Sequence, residues 1–217
     1  MKSYSLPDGS EKYDAVILAD GSYPADDSIA GSILAAADYV VCCDGAADEY
    51  VARGGMPAAI AGDCDSLSEG TVRRYKDRIH PSADQETNDL TKAFMFCFGQ
   101  RRKNIAILGA TGKREDHTIA NVSLLVNYAE KTDVIMVTDY GVFNAIREDS
   151  VFRSFRGQQV SIFTIGTDIP VSVDGLLYIP PADGLPGWWR GSLNESAGDE
   201  FTIFTPGPAI IYRNFLR

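Results

Sequence analysis

Tyr39-Val40-Val41-Cys42-Cys43-Asp44-Gly45 is a run of five β-prone or apolar residues that stops on an aspartate and a glycine. Apolarity so nearly continuous over so short a run predicts a strand covered on both faces. The same cadence recurs along the first two-thirds of the chain. Ala15-Val16-Ile17-Leu18-Ala19 runs into Asp20-Gly21, Ala58-Ala59-Ile60-Ala61 into Gly62-Asp63, and Ile105-Ala106-Ile107-Leu108 into Gly109. Val134-Ile135-Met136-Val137 passes through Thr138 into Asp139-Tyr140-Gly141. Helical patterns fill the gaps: Asp26 to Ala37, Ala46 to Arg53, Leu67 to Asp77, and His117 to Lys131 with Ile119, Val122, Leu125 and Val126 on one face. Such alternation predicts a parallel α/β sheet. In these sheets ligands sit beyond the carboxyl ends of the strands, so the aspartates and glycines should converge on one rim. Loop punctuation explains any one of them, but five in step less well.

After Gly141 the texture changes to short strands with turns: Ser150 to Phe155, Gln159 to Ile165, Val171 to Tyr178, Glu200 to Phe204 and Ala209 to Tyr212. Pro180-Pro181, Asp183-Gly184, Pro186-Gly187 and Pro206-Gly207-Pro208 punctuate them, which predicts an antiparallel β module. The join over Asp139 to Arg147 reads as short.

Composition narrows the function classes. The 217 residues carry a formal charge of −10, with 45% hydrophobic and 23% charged residues, an ordinary globular balance. No basic stripe exists to release counterions from nucleic acid or to dock on anionic lipid. A phosphate-bearing substrate stays open, because a divalent metal can stand between carboxylates and phosphates. Apolar runs of about five residues fall far short of the roughly 20 that span a membrane. The opening Met1-Lys2-Ser3-Tyr4-Ser5-Leu6-Pro7 lacks the apolar core of an export signal. Cys42, Cys43, Cys64 and Cys97 form no C-x-x-C pair, so buried thiols in a reducing cytoplasm are expected.

Three stretches carry chemistry. Gly62-Asp63-Cys64-Asp65-Ser66 places two carboxylates two apart after a strand, on one side of an extended chain. At about 4 Å they repel by on the order of 1 kcal/mol in water and about 4 at an effective dielectric of 20. A bound Mg²⁺ removes that penalty; otherwise one aspartate caps the following helix and the other is solvated. Asp84-Gln85-Glu86-Thr87-Asn88-Asp89-Leu90-Thr91-Lys92 opens the next helix, whose buried face is Leu90, Ala93, Phe94 and Cys97. Asp89 and Lys92 share its amino-terminal flank, either as a metal ligand and a phosphate-binding cation or as a surface ion pair. Leu108-Gly109-Ala110-Thr111-Gly112-Lys113-Arg114-Glu115-Asp116-His117 is a strand, a glycine turn and a helix start. Its N–H groups can hold phosphate, with charge added by Lys113 or Arg114. It is not a Walker A loop, since only two residues separate the glycines and Arg114 replaces the expected Ser or Thr. Asp116 is either a helix cap or a ligand. Neither His80 nor His117 is read as a catalyst.

In order, Asp44-Gly45-Ala46, Gly62-Asp63-x-Asp65-Ser66, Asp84-Gln85 with Asn88-Asp89-x-Thr91-Lys92, and Gly109-x-x-Gly112-x-Arg114-x-Asp116-His117 resemble the thiamine pyrophosphokinase family. The likeness is strongest from Cys43 to Asn121. In the β-rich part it rests on Asp174-Gly175-Leu176-Leu177-Tyr178 and Gly191-Ser192-Leu193-Asn194-Glu195. Members often have tryptophan where this chain has Tyr178, and a small hydroxyl residue where it has Leu193. The resemblance implies attack of the thiamine hydroxyl on the β-phosphorus of ATP, giving thiamine diphosphate and AMP. It implies a Rossmann-like α/β nucleotide domain over residues 1–142 and a β-sandwich over 143–217 for thiamine binding and dimerisation. The expected assembly is a cytoplasmic homodimer with its active site at the subunit interface. Carried over by position, Asp63, Asp65 and Asp89 are the Mg²⁺ ligands and Asp44 a further acid of the site. Thr91 and Lys92 lie beside the phosphates; Gly109, Gly112, Arg114 and Asp116 form the nucleotide loop. Gln85, Tyr178, Ser192 and Asn194 contact thiamine. The alternatives are a pyrophosphokinase of like architecture for another hydroxymethyl heterocycle, such as a pterin, or a non-catalytic nucleotide or thiamine diphosphate sensor.

Overall fold

The computed structural model describes residues 1–166, 169–181 and 183–216. In chain order its elements are β1 (Lys2–Tyr4), β2 (Ala15–Leu18), α1 (Ile29–Ala35), β3 (Val40–Cys43), α2 (Ala46–Ala52), β4 (Ala59–Gly62), α3 (Glu69–Tyr75), β5 (Ile79–Pro81), α4 (Asp89–Gly99), β6 (Asn104–Leu108), α5 (Glu115–Ala129) and β7 (Asp133–Val137). They continue with β8 (Gly141–Ile146), β9 (Ser150–Arg153), β10 (Gln159–Thr164), β11 (Ser172–Asp174), β12 (Asn194–Glu195), β13 (Glu200–Phe204) and β14 (Ala209–Asn214). The fold is mixed α/β. It forms two compact units, Gly9–Asp139 and Met1–Asp8 with Tyr140–Arg217.

In the first unit the strands lie in the order β7-β6-β2-β3-β4-β5, every pair parallel. All residues of β2, β3 and β4 are buried, which is why these strands read as continuous apolar runs. Helix α4 packs on β2, β3 and β4 through Leu90, Ala93, Phe94 and Cys97, the face its spacing predicts. Phe94 stacks on Tyr128 of α5 at 4.1 Å, joining the two helices. The α5 face departs from expectation at one residue. Val122, Leu125 and Val126 are buried, together with Asn121 and Tyr128, but Ile119 is 58% exposed. At about 100° per residue Ile119 lies only about 20° from the buried Val126, so the face is as read and Ile119 is its exposed amino-terminal end, in the first turns of α5. The strand β5 was not legible in the sequence; it is a three-residue edge of partly exposed residues.

The second unit has two strand arrays, β1-β9-β13-β11 and β12-β10-β14-β8. Phe152, Phe201 and Ile203 from the first share a core with Ile146, Val160, Ile162, Ala209 and Ile211 from the second. Tyr4, Phe152 and Phe201 stack in sequence at 4.9 and 5.1 Å. Two expectations are corrected. The segment read as a short join contains β8, a six-residue strand antiparallel to β14. The module is also not purely antiparallel, because β1 pairs parallel to β9. A strand delivered from the distant amino terminus is free of the hairpin constraint that makes chain neighbours antiparallel. The division therefore falls between Asp139 and Tyr140, with the first eight residues joining the later part, where residue 142 was the expected boundary.

Arg213 holds that amino-terminal segment. Its side chain is fully buried, and its guanidinium donates to the carbonyls of Tyr4 (3.3 Å), Ser5 (2.8 Å) and Arg153 (2.6 Å) and to Asn144 Oδ1 (2.9 Å). It also lies 5.0 Å from the Phe152 ring centre. Burial pushes its pKa down to about 9, which leaves the fork charged at neutral pH.

Candidate active site

A cleft of about 440 Å³ opens beyond the carboxyl ends of the parallel strands, inside the first unit. Asp20 and Gly21 follow β2, Asp44 and Gly45 follow β3, Asp63 follows β4, and Ala110 and Gly112 follow β6; all line it. Four of the five strand ends therefore converge, that of β6 through Ala110 and Gly112 rather than Gly109 itself. The fifth does not: Asp139 instead accepts the Ala25 N–H at 3.1 Å and pins the loop before α1.

Backbone strain concentrates here. Asp44 (φ 36°), Cys64 (φ 64°) and Lys113 (φ 57°) occupy the left-handed region that side chains avoid, which turns the chain sharply at the strand ends. The glycine turn is zipped to the turn after β2, with Gly21 N–H donating to Gly109 O at 2.6 Å and Ser22 N–H to Thr111 O at 2.7 Å. Gly112 has φ 78°, and a Cβ there would collide with Ser22 Oγ, so two separate constraints demand glycine.

Asp44, Asp63 and Asp65 each offer an oxygen, all within 4.8 Å of one another. Opposite ligands of an octahedral ion with ~2.1 Å bonds lie ~4.2 Å apart, so small side-chain shifts bring the three onto one Mg²⁺. Asp44 Oδ1 is buried and has no hydrogen-bond partner among the described residues, which suits it to ligate a cation. Its other oxygen accepts the Ser66 N–H at 3.3 Å. Burial pushes the Asp44 carboxyl up to about 6; Ser66 hydrogen bonds pull it back, while the charges of Asp89 and Asp63 add to the rise. The hard oxygen donors and crowded negative charge fit a divalent ion. Neither Asp63 nor Asp65 caps the next helix; Ser68 does, its Oγ accepting the Thr71 N–H and donating to Asp48.

The expected ligand Asp89 lies outside that group of three but lines the same cleft. Its Oδ1 accepts the Asp63 N–H at 3.3 Å and Lys92 Nζ at 3.0 Å, and Lys92 is also 4.0 Å from Asp63 Oδ2. The Lys92 side chain is 6% exposed. Burial pulls its pKa down, but the Asp89 hydrogen bond and the charges of Asp89, Asp63 and Asp84 outweigh this and hold the ammonium above the usual lysine range. Burial, followed by the charges of Asp44, Asp63 and Asp89, pushes the Cys64 thiol up to about 11, so it is no thiolate at neutral pH.

Gln85 and Arg114 also line the cleft; Asp65, Thr91, Gly109 and Asp116 do not. Asp116 grips Arg114 in a two-pronged pair at 3.1 and 2.6 Å and accepts the His117 N–H. The Arg114 hydrogen bonds, followed by that of His117, hold its carboxyl down at about 2. Thr91 turns its hydroxyl to Asn88 Oδ1 at 2.8 Å and to Tyr128 at 2.7 Å. Asp20 stood at a strand end and Ser66 and Asn88 inside the quoted motifs, but none was given a role from sequence; Asn121, which also lines the cleft, carried no signal of its own. Lys113, within hydrogen-bond reach of Asp20 at 2.8 Å, adds a third cation to the cleft wall.

Tyr178, Ser192 and Asn194 lie in the second unit around a cleft of about 720 Å³ that also includes Ile162, Leu185 and Leu193. Tyr178 is 63% exposed and offers its ring to this space. Asn194 is buried and spent on the backbone: its Oδ1 accepts the N–H of Tyr178 (3.1 Å) and Glu195 (2.8 Å), and its Nδ2 donates to Tyr178 O at 2.6 Å. It sets the Tyr178 main chain. Ser192 Oγ donates to Trp189 O at 2.9 Å, and Leu193 sits at φ 59° with its side chain exposed.

Two family models match the chain. One, described as thiamin pyrophosphokinase, catalytic domain, covers residues 30–137; the other, thiamin pyrophosphokinase, substrate-binding domain, covers 141–212. Thiamin pyrophosphokinase 1 of Caenorhabditis elegans is 30% identical over 112 residues, 48% of this chain and 46% of that protein. Thiamine pyrophosphokinase 1 of Oryza sativa subsp. japonica is 28% identical over 125 residues, 51% of this chain and 47% of that protein. The chain spans about half the length of the curated relatives it matches. The solved thiamin pyrophosphokinase from Candida albicans superposes with a TM-score of 0.76 at 15% identity, covering 98% of this chain and 92% of that one. That from Bacillus subtilis gives 0.73 at 19%, covering 95% and 100%. At these identities the structural likeness concerns the fold.

Proposed function

The chain belongs to the thiamin pyrophosphokinase family, and from that premise we propose that it transfers the pyrophosphoryl group of ATP to the hydroxyl of thiamine, giving thiamine diphosphate and AMP. The observation that carries this reading is a single cleft at the strand ends that sets four aspartates, Asp20, Asp44, Asp63 and Asp89, against Lys92, Lys113 and Arg114. Attack of the hydroxyl oxygen on the β-phosphorus forms one P–O bond and breaks the bond to the oxygen that leaves with AMP. Such transfer needs alignment and charge neutralisation more than covalent help from protein.

Asp44, Asp63 and Asp65 are the residues that would hold Mg²⁺, with Asp89, which lines the same cleft, fixing the Asp63 main chain and Lys92. Bound there, Mg²⁺ supplies the positive charge that lets an acidic rim accept a polyphosphate. Lys92 presents its ammonium beside the acids, and Arg114 and Lys113 extend the positive side along the glycine turn, whose backbone is fixed by the contacts to Gly21 and Ser22. The exposed Tyr178 ring in the second cleft suits the cationic thiazolium of thiamine, with Asn194 holding its backbone.

The reading includes a homodimer, supported by the exposed apolar side chains Leu177, Tyr178, Ile179, Trp189 and Leu193. It includes a reducing cytoplasm, supported by four free cysteines. Among the described residues no helix is long and apolar enough to cross a membrane. The test is AMP release from Mg-ATP by the purified protein. Release that requires thiamine supports the reading; release at the same rate without it, or none with it, overturns it.

A further inference from the structure

We propose that Asn121 is a positioning residue, which together with Asn88 and Thr91 ties the acidic end of the cleft to its glycine turn. The inference rests on the pyrophosphokinase reading above and extends it to side chains that no phosphate need touch.

The link is a one-way chain of hydrogen bonds. Asn121, buried on α5, donates from Nδ2 to Ala110 O at 2.9 Å and accepts at Oδ1 from Asn88 Nδ2 at 3.0 Å. Asn88 caps α4, its Oδ1 accepting the Thr91 N–H at 2.9 Å and the Thr91 hydroxyl at 2.8 Å. The hydroxyl proton of Thr91 is thereby committed, so Tyr128 is the donor in their 2.7 Å contact. Burial pushes the Tyr128 phenol up, keeping it protonated for that task. Every orientation is forced. Ala110 O can only accept, so Asn121 must present its amide nitrogen there and its oxygen to Asn88; flipping either amide sets oxygen against oxygen.

The two ends of this chain are the two halves of the cleft. Asn88 directly precedes Asp89, which holds the Asp63 main chain and Lys92. Ala110 lies in the turn between Gly109 and Gly112, ahead of Lys113 and Arg114. Losing the link would let the carboxylate–lysine group drift against the glycine turn, a misalignment felt in transfer more than in binding.

Two variants separate this from plain helix capping. Asn88→Ser retains a good cap but is too short to reach Asn121. Asn121→Asp keeps shape and acceptor, loses the donor, and sets a carboxylate against Ala110 O; Asn121→Ser replaces it should the aspartate variant not fold. Each is expected to lower kcat about tenfold to a hundredfold while the KM for ATP moves less than about threefold. The double variant is expected to be no slower than the slower single, because both break one link. Wild-type kcat retained within about twofold in both folded variants, a raised KM with kcat unchanged, or losses that multiply would each overturn the proposal. Should the wild type make no AMP from ATP and thiamine, the functional reading fails on its own. Melting of the same four proteins then judges the link independently, since additive losses in Tm would refute it.

Discussion

Replacing Asp44 by Asn tests the electrostatic reading of the cleft without any substrate. The Asp44 carboxyl rises from 3.8 to about 6, chiefly through burial, with Asp89 and Asp63 adding repulsion. A carboxylate whose folded pKa exceeds its unfolded value binds more protons when folded. Between those two values stability falls as pH rises, and above about 6 the full cost of holding the charge remains. Two units at about 1.36 kcal/mol each put that cost near 3 kcal/mol at pH 7. Asparagine keeps an oxygen for the Ser66 N–H but gives up the charge-assisted bond, which offsets about 1 kcal/mol. The variant should therefore be about 1–2 kcal/mol more stable than wild type at pH 7, raising Tm by roughly 2–8 °C for a chain of this size. The measurement is thermal melting with a chelator present, at pH 7 and pH 4. At pH 4 the folded wild type is already protonated at Asp44 and the advantage should vanish. Added Mg²⁺ should narrow the gap at pH 7 by stabilising wild type more than the variant. A variant less stable at pH 7, or one equally stabilised at both pH values, would refute the argument.

Other outcomes follow from the same geometry. Asp65→Asn is expected to abolish thiamine-dependent AMP release with Tm changed by little, as Asp65 is exposed and its hydrogen bonds among the described residues are to its neighbours Asp63 and Ser66; full turnover would remove it from the metal group. Gly112→Ala should raise the KM for ATP by about tenfold or more, since φ 78° and the Ser22 side chain both oppose a methyl group there; unchanged steady-state kinetics would show the turn to be tolerant. Arg213→Lys leaves acceptors of the amino-terminal segment unsatisfied and should cost about 2–4 kcal/mol in chemical denaturation; a loss below measurement would show that segment to be held otherwise.

What the sequence revealed and concealed follows from range. Strands β2, β3, β4 and β6 are buried on both faces, so their apolarity and the Asp or Gly that ends each were legible residue by residue. The face of α4 was legible for the same reason. Strand β8 was hidden because Asn144 interrupts its apolar run, and that asparagine is buried only to receive Arg213, 69 residues on. Strand β1 was hidden because Lys2-Ser3-Tyr4 has no pattern of its own and is a strand only through β9. At the cleft, residues carried by a motif told their place but not their partner. Thr91 and Lys92 are neighbours in sequence, yet one faces Tyr128 and the other Asp89. Asn121, 33 residues beyond Asn88, meets it only because α4 and α5 pack side by side.

The central claim is transfer of a pyrophosphoryl group to thiamine, and phosphorus NMR of the protein with Mg-ATP, with and without thiamine, tests it most directly. The account predicts loss of the ATP β and γ signals only when thiamine is present, with equal gains of AMP and of a diphosphate ester. Bound ATP that stays intact beside thiamine, or ADP and a monophosphate ester as products, would contradict it.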